Sequence, residues 1–282
     1  MSITDNDAAS RTAIMVAAFR GRASAREGAI CRDPWALALA GDDGNALADA
    51  FAQHFPAFEL WMAVRTAYLD AHVEHWTAQG FTQIVLMGAG LDTRAARLAR
   101  AGVRFFELDH PASQREKLAR LAKLDRYPID AATYVPCDFE TDDFIERLVA
   151  HGFDRSAPAF IAWEGVVPYL TEPAIRATLR RIADGCEPRT VLVFDYIMKR
   201  IVERNRVSED DERNMALLDE LGEPARFGIN DPLPMLYEEG FRHVRCVSFD
   251  EACLSLTGTY ERTRMFRFQH LATASRTASS LL

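Results

Sequence analysis

Short apolar runs alternate with amphipathic stretches after Gly80, and this alternation narrows the possible folds more than any other property of the chain. Five runs have the length and composition of strands: 84–87, 103–108, 133–135, 159–163 and 190–196. Helical patterns separate each run from the next. Strands joined by helices in this way pair in parallel and bury both faces of their sheet. The sequence therefore predicts an α/β fold built on a parallel sheet.

The first 80 residues lack this alternation and carry helical patterns instead. Residues 12–25 are rich in alanine, and apolar residues recur at helical spacing after Leu60. The stretch Gly41–Gly44 has the composition of a loop between helices. We therefore expect an N-terminal helical cap over residues 1–80 and a main domain over residues 81–282.

The chain after the fifth run departs from the alternation again. A charged stretch at 200–221 predicts a surface helix within an insertion at about 200–230. Two more strands are expected at 243–249 and 265–268, and we expect them to pair antiparallel because the stretch between them is short. Residues 272–280 are rich in Ala, Ser and Thr, which predicts a frayed tail.

Composition and charge exclude several classes of protein. The 282-residue chain is 49% apolar and 26% charged, as globular proteins usually are, and its formal net charge of −8 argues against a nucleic-acid partner. No apolar run approaches the ~20 residues that span a bilayer, and the acidic first residues do not form a secretory signal. Five cysteines without a close pair predict free thiols in a reducing compartment. We expect a cytoplasmic protein without membrane or nucleic-acid partners, and the sequence leaves its oligomeric state open.

The run at 84–87 leads directly into Gly88-Ala89-Gly90 and then into a helical pattern. Glycines at such a turn let a ligand approach the backbone closely, and the following helix offers unpaired N–H groups. Asp109 lies 19 residues after Gly90, just past the second run, where a carboxylate can accept hydrogen bonds from ribose hydroxyls. The alternative interpretation of Asp109 is an N-cap for the helix that begins at Pro111, and the two roles are compatible.

The residues after this turn indicate which cofactor it suits. A dinucleotide fingerprint has a third glycine where this chain has Thr93. Asp92 would also repel a pyrophosphate. Both features disfavour NAD and suit a cofactor with a cationic centre and a free ammonium group, as S-adenosylmethionine has.

Four segments together resemble the leucine carboxyl methyltransferase family: Met87-Gly-Ala-Gly-Leu-Asp-Thr-Arg94, Glu107-Leu-Asp-His-Pro111, Cys137-Asp-Phe139 and Trp163-Glu-Gly-Val-Val-Pro-Tyr-Leu170. The family includes protein C-terminal carboxyl methyltransferases, bacterial S-adenosylmethionine-dependent methyltransferases and tetracenomycin-type polyketide carboxyl methyltransferases. The resemblance implies a class I methyltransferase (Rossmann-like) fold, with a seven-stranded, mostly parallel sheet whose last strand is antiparallel. It also implies that the N-terminal helices and the helical insertion form a lid over the carboxyl ends of the strands.

The resemblance implies roles for individual residues around the methionine part of S-adenosylmethionine. Arg65 resembles the arginine that binds its carboxylate, although an exposed helix arginine is the alternative. Gly88, Ala89 and Gly90 would line the methionine part. Glu164, at the end of the fourth run, would meet the ammonium group.

Further matching positions concern the rest of the cofactor and the acceptor. Asp109 would hold the ribose, and Asp138 and Phe139 would lie beside the adenine. Tyr169 is the candidate catalytic residue on the substrate side, with a core tyrosine as the alternative. Arg94 is expected only to pair with a nearby carboxylate and is not assigned to the site.

Two other sets of chemically versatile residues have simpler interpretations. His72 and His75 could in principle bind a metal, but without a third ligand at suitable spacing we expect a solvated helix face and no metal site. Cys137 is next to the adenine position and is expected to be a buried, inert thiol.

These observations predict a methyltransferase that acts on a small molecule. A carboxylate acceptor is already ionised at neutral pH and needs no general base, and the sequence places no histidine convincingly for that role. The favoured reaction is therefore methyl ester formation on a small-molecule carboxylate. The alternatives are methylation of a phenol or hydroxyl, a nucleotide-dependent oxidoreductase, and a non-catalytic protein that binds S-adenosylmethionine.

Overall fold

Seven strands form one sheet in the computed structural model, which describes residues 11–139, 141–205, 207–220, 222, 224–259, 266–277 and 281. The strands are β1 (Gln83–Met87), β2 (Arg104–Asp109), β3 (Ala132–Pro136), β4 (Ala159–Trp163), β5 (Val191–Ile197), β6 (His243–Ser248) and β7 (Gln269–Ser275). Their order is β3-β2-β1-β4-β5-β7-β6. Strands β1 to β5 pair in parallel, and β7 runs antiparallel to both β5 and β6. The predicted mostly parallel sheet with an antiparallel last strand is confirmed.

Helices cover the sheet on both faces. They are α1 (Arg11–Ser24), α2 (Ala36–His54), α3 (Phe58–Ala78), α4 (Arg94–Arg97), α5 (Pro111–Leu121), α6 (Phe144–Ala150), α7 (Glu172–Gly185), α8 (Lys199–Val202), α9 (Glu209–Glu220), α10 (Leu233–Glu238) and α11 (Phe249–Thr257). Among the described helices, none combines the length and apolarity needed to cross a bilayer.

Alternate residues of the central strands enter two separate cores. Ile84 and Phe160 pack with the N-terminal helices on one face, whereas Val85 and Ile161 pack with α6 and α7 on the other. All four side chains are fully buried. Two covered faces explain why these strands are continuously apolar and do not alternate with polar residues. The arrangement leaves the carboxyl ends of the parallel strands as the edge where a ligand can bind.

The predicted loop at Gly41–Gly44 is wrong, because these residues lie inside α2. The helix kinks at Gly41, which has φ 69° and ψ −175°. Arg120 donates hydrogen bonds to the main-chain oxygens of Leu39 and Ala40 on the N-terminal side of the kink, at 3.2 and 2.9 Å. A Cβ on Gly44 would lie 2.7 Å from the main-chain oxygen of Ile14. Glycine therefore serves here to bend α2 and to let it approach α1 closely.

The prediction for the last strand and the tail is also wrong. The strand β7 occupies Gln269–Ser275, and Phe266 to Phe268 form a turn before it. Residues 272–275, expected to be frayed, are buried because β7 lies between β5 and β6. The helix α11 lies between β6 and β7 in the chain, and the predicted antiparallel pairing of the last two strands is confirmed. Met265 and residues 278–280 lie outside the described part of the chain.

Candidate cofactor site

The glycine turn after β1 is fastened to the end of β2. Gly88 and Ala89 donate main-chain hydrogen bonds to the Leu108 oxygen, at 2.8 and 3.1 Å. The Gly90 amide donates to Asp109 Oδ2 at 2.5 Å. Gly88 and Gly90 have φ values of 65° and 46°, a region that favours glycine. The spacing from Gly90 to Asp109 therefore brings the predicted turn and carboxylate into direct contact.

Two other segments border the glycine turn closely. A Cβ on Gly88 would lie 2.4 Å from Val166 Cγ2, in the turn that follows β4. A Cβ on Gly90 would lie 3.4 Å from the Cβ of Ala13, in α1. Residues of α1 and of the segment after β4 thus lie beside the turn.

Asp109 is not the N-cap of α5, so the alternative interpretation of this residue is wrong. The N-cap is His110, whose Nδ1 accepts a hydrogen bond from the Ala112 amide at 3.3 Å. Asp109 instead accepts from the amides of Gly90 and His110, and burial raises the pKa of its carboxyl. A carboxylate has about four lone-pair positions, so it can accept further hydrogen bonds from a ligand.

Glu164, the first residue after β4, bridges two buried arginines. Arg65 Nε donates to its Oε1 at 2.7 Å, and Arg94 donates to its Oε2 at 2.5 Å. Arg65 also donates to Asp195 Oδ2 at 3.0 Å, and the other oxygen of Asp195 accepts from the Gly165 amide at 2.6 Å. Residues from α3, from the start of α4, from β5 and from the segment after β4 therefore meet at one point.

The same contacts continue towards the N-terminal helices. Arg94 pairs with Asp92 and, at 2.8 Å, with Asp70 of α3, which also pairs with Arg97. The Thr93 hydroxyl accepts a hydrogen bond from Arg97 Nε and donates one to Asp33 Oδ2. The same Asp33 oxygen lies 2.6 Å from Nε of Arg20 in α1. We call this set the ion-pair cluster. Its members are Arg20, Asp33, Arg65, Asp70, Asp92, Arg94, Arg97, Glu164 and Asp195.

The arginines set the charge state of the carboxylates nearest the glycine turn. Burial works to raise the pKa of Glu164, but the attraction of Arg94 and Arg65 outweighs it and lowers that pKa. The same balance, with Arg94 again the main partner, lowers the pKa of Asp92. For Asp195 burial prevails over its contact with Arg65, and the pKa is raised.

The remaining predicted site residues lie at the same edge of the sheet. Asp138 and Phe139 follow β3. The amide of the preceding Cys137 donates to the main-chain oxygen of Asp109 at 2.9 Å. Tyr169 is half-buried in the helical turn Val167–Tyr169, close enough to Arg65 to help raise the pKa of that guanidinium. These positions are compatible with the predicted roles of all three residues.

The predictions for Cys137 and His72, which lie outside the site, have different outcomes. Cys137 is fully buried, and burial raises its pKa to about 12, as expected for an inert thiol. His72 is 1% exposed and stacks on Phe160, so the predicted solvated face is wrong for this residue. No group of three potential metal ligands occurs among the described residues.

Seven of the nine members of the ion-pair cluster were not predicted as site residues, and three of them show why. Arg94 binds Glu164 as well as Asp92, which the expectation of a merely local pair had missed. Asp195 interrupts the apolar strand β5, and a carboxylate inside a fully buried run was a signal that could have found it. Asp70 is one acidic residue in the helical pattern after Leu60, and the sequence carries no comparable signal for it.

The donor set suits S-adenosylmethionine. Asp109 ends β2 and Glu164 follows β4, the two strands that flank β1, and both carboxylates can accept hydrogen bonds from an ammonium group or from ribose hydroxyls. In the turn beside them, Gly88 and Gly90 have no side chain of their own, so a ligand can approach their main chain closely. Arg65 Nη2 contacts only the sulfur of Met62, at 3.6 Å, among the described hydrogen-bond partners, so it can still donate to a ligand carboxylate.

Replacing Asp109 by alanine is expected to weaken S-adenosylmethionine binding on the order of ten- to a hundredfold, because charge-assisted hydrogen bonds to the ribose would be lost. Titration calorimetry measures this change. The matched variant Asp109→Asn keeps an acceptor for the Gly90 amide and should lose less affinity. An unchanged affinity in the alanine variant would contradict the ribose role.

Comparison with known proteins agrees with this geometry. The family model described as leucine carboxyl methyltransferase matches residues 13–183. A relative from Streptomyces coelicolor is 37% identical over 201 residues, covering 68% of this chain and 71% of the relative. Another, from Mycolicibacterium vanbaalenii, is 32% identical over 246 residues, covering 82% and 77%. Both carry the name "putative S-adenosyl-L-methionine-dependent methyltransferase".

Solved structures share the fold at low sequence identity. A duf574 family protein from Streptomyces avermitilis superposes with a TM-score of 0.62 at 14% identity, covering 93% of this chain and 97% of that one. An O-methyltransferase family protein from Burkholderia thailandensis gives a TM-score of 0.52 at 12% identity, covering 96% and 73%. Fold, glycine turn and sequence relatives agree, and the chain belongs to the leucine carboxyl methyltransferase family of S-adenosyl-L-methionine-dependent methyltransferases.

Proposed function

We propose that this methyltransferase acts on a carboxylate of a small molecule and produces a methyl ester. The observation that carries the proposal is Arg226, an exposed arginine that makes no ion pair with a described residue. The amides of Arg226 and Phe227 both donate to the Pro168 oxygen, at 2.7 and 3.0 Å. The backbone of Arg226 is thereby fixed beside the turn that contains Tyr169, where its positive charge can attract an acidic acceptor.

The segment that carries Arg226 is held by hydrogen bonds at two places, the turn after β4 and the end of β5. Phe227 is buried, and the Ile229 amide donates to the Ile197 oxygen at the end of β5, at 2.9 Å. A Cβ on Gly228 would lie 3.0 Å from the Met198 oxygen. The segment therefore crosses the carboxyl ends of β4 and β5 in a defined position and can border an acceptor site.

The protein's part in the reaction is to align and to exclude water. S-adenosylmethionine supplies a methyl group on a sulfonium, which is a good leaving group. Arg65, Glu164 and Asp109 would hold the cofactor at three points, and Tyr169 would orient the acceptor oxygen. Ala13 of α1 and Val166 lie beside the glycine turn and would help to exclude water from the bound cofactor.

A hydroxyl acceptor is the second candidate, and His270 favours it. Because β7 is antiparallel, its first residues lie at the same edge of the sheet as the end of β5. The His270 ring stacks on Tyr196, with ring centroids 5.3 Å apart. Burial lowers the pKa of His270, so the ring is neutral near pH 7 and can accept a proton.

The pH dependence of the saturated rate tests the choice between the two acceptors. A carboxylate is ionised throughout the neutral range, so the rate should stay nearly flat between about pH 6 and 9 when methyl transfer limits turnover. Release of S-adenosylhomocysteine from a panel of acids and phenols measures it. A rate that rises with a slope near one, and loses that rise in His270→Gln, would contradict the carboxylate proposal.

Tyr169→Phe is the companion variant for the same measurement. If Tyr169 orients the acceptor by a hydrogen bond, the rate should fall on the order of ten- to a hundredfold and its pH profile should stay flat. A thousandfold loss with a new pH dependence would mean that Tyr169 handles a proton, which a carboxylate acceptor does not require.

A further inference from the structure

The ion-pair cluster holds more carboxylates than cations. It contains five carboxylates and four guanidinium groups, and none of these side chains is more than 16% exposed. Adjacent to it, Glu107, Asp109 and Lys117 add two carboxylates and one ammonium, so they do not supply the missing cation. A buried negative charge without a partner is unfavourable, and the site therefore favours a ligand that brings net positive charge.

The two forms of the cofactor differ in this property. S-adenosylmethionine carries a sulfonium, an ammonium and a carboxylate, which sum to +1. S-adenosylhomocysteine has lost the sulfonium charge with the methyl group, and its remaining ammonium and carboxylate sum to zero. The groups that bind the ammonium and carboxylate cannot distinguish the two molecules, whereas a surplus negative charge can.

Asp195 is the carboxylate that can provide this discrimination through its charge. It is 3% exposed and contacts Arg65, whose guanidinium is already shared with Glu164. Its other oxygen accepts from Gly165, the residue after Glu164. Burial raises the pKa of Asp195, which is the response expected of a carboxylate that lacks full compensation.

We propose that the surplus carboxylate of the ion-pair cluster, provided by Asp195, makes the protein prefer the cationic methyl donor over its neutral product. Asp195 acts here as a specificity-determining residue through Arg65 and the surrounding field, without a contact to the cofactor. The inference rests on the established cofactor and is independent of the proposed carboxylate acceptor.

Titration calorimetry of Asp195→Asn tests the proposal without turnover. The probes are S-adenosylmethionine, sinefungin, which carries an amine in place of the sulfonium methyl, and S-adenosylhomocysteine. The preference for the two cationic ligands over S-adenosylhomocysteine should fall on the order of tenfold, since one unit of nearby charge is removed. The control Asp49→Asn makes the same change in total charge at a side chain that is 73% exposed, and should keep the wild-type preference.

A purely structural role for Asp195 predicts a different result. It would weaken all three ligands by the same factor, and that outcome would overturn the proposal. A shift of equal size in Asp49→Asn would overturn it as well, because the effect would then follow total charge. If Asp195→Asn does not fold, the variant Asp195→Glu keeps the charge beside Arg65 and should keep the wild-type preference, and a fall on the order of tenfold in that variant would overturn the proposal.

Discussion

Replacing Arg94 by glutamine is expected to lower the free energy of unfolding by about 3–5 kcal/mol, the cost of leaving buried charges without their partner. Its side chain is 2% exposed and contacts Asp70, Asp92 and Glu164, which come from three different segments. Glutamine has no charge and cannot span all three carboxylates. Urea denaturation followed by circular dichroism measures the loss.

The matched control is Arg213→Gln in α9, which changes the same residue type. Its side chain is 60% exposed and pairs with Glu209 at the i,i+4 spacing of a surface helix. Such pairs contribute little, so the midpoint of denaturation should hardly move. If Arg94→Gln were as stable as this control, Arg94 could not be the centre of the ion-pair cluster.

Acidification should destabilise the protein in a way that depends on His72. Burial lowers the pKa of this histidine to about 3, from 6.5 in the unfolded chain, and neither ring nitrogen has a hydrogen-bond partner among the described residues. Below pH 6.5 the unfolded chain binds a proton that the folded protein does not, so stability is full above pH 6.5 and falls as the pH drops towards 3. At pH 5 the loss attributable to His72 is about 2 kcal/mol.

The variant His72→Phe isolates this contribution. Phenylalanine can stack on Phe160 as the imidazole does, and it does not titrate. The difference in unfolding free energy between wild type and variant should therefore shift by about 2 kcal/mol between pH 7 and pH 5, in favour of the variant. Parallel curves over this range would show that His72 is protonated in the folded protein.

The parts of the site that the sequence predicted are those governed by short spacings. The turn at Gly88 follows its strand directly, and the distance to Asp109 is the length of one helix and one strand. Parallel pairing then requires both to reach the same edge of the sheet. Glu164 could be predicted for the same reason, because β4 pairs with β1 in parallel. Local pattern and topology rules were sufficient for these positions.

The ion-pair cluster could not be derived in this way. Asp70 meets Arg94 only because α3 lies beside the start of α4, and no spacing rule relates the two residues. Arg94 also had a plausible neighbour in Asp92, which concealed its contact with Glu164. Tertiary packing decides which long side chains of different elements meet. No local pattern in a single sequence reveals these pairs.

Strand β7 was misplaced for a different physical reason. Its buried residues 272–275 are small or hydroxyl-bearing, a composition typical of tails. They form a strand because β5 and β6 flank them on both sides and supply every main-chain partner. Strand propensity is overridden here by position within the sheet.

The position of β7 also affects how the chain can fold during translation. The strand that completes the edge of β5 follows it only after α8 to α11 and β6 have been made. On the ribosome, β5 therefore emerges with one row of amides and carbonyls still open, and β6 has no strand to join. An open edge of this kind pairs readily with other chains. A chain that ends before Gln269 would contain the cofactor-binding strands but would expose the unpaired edge of β5, and it would be prone to aggregate.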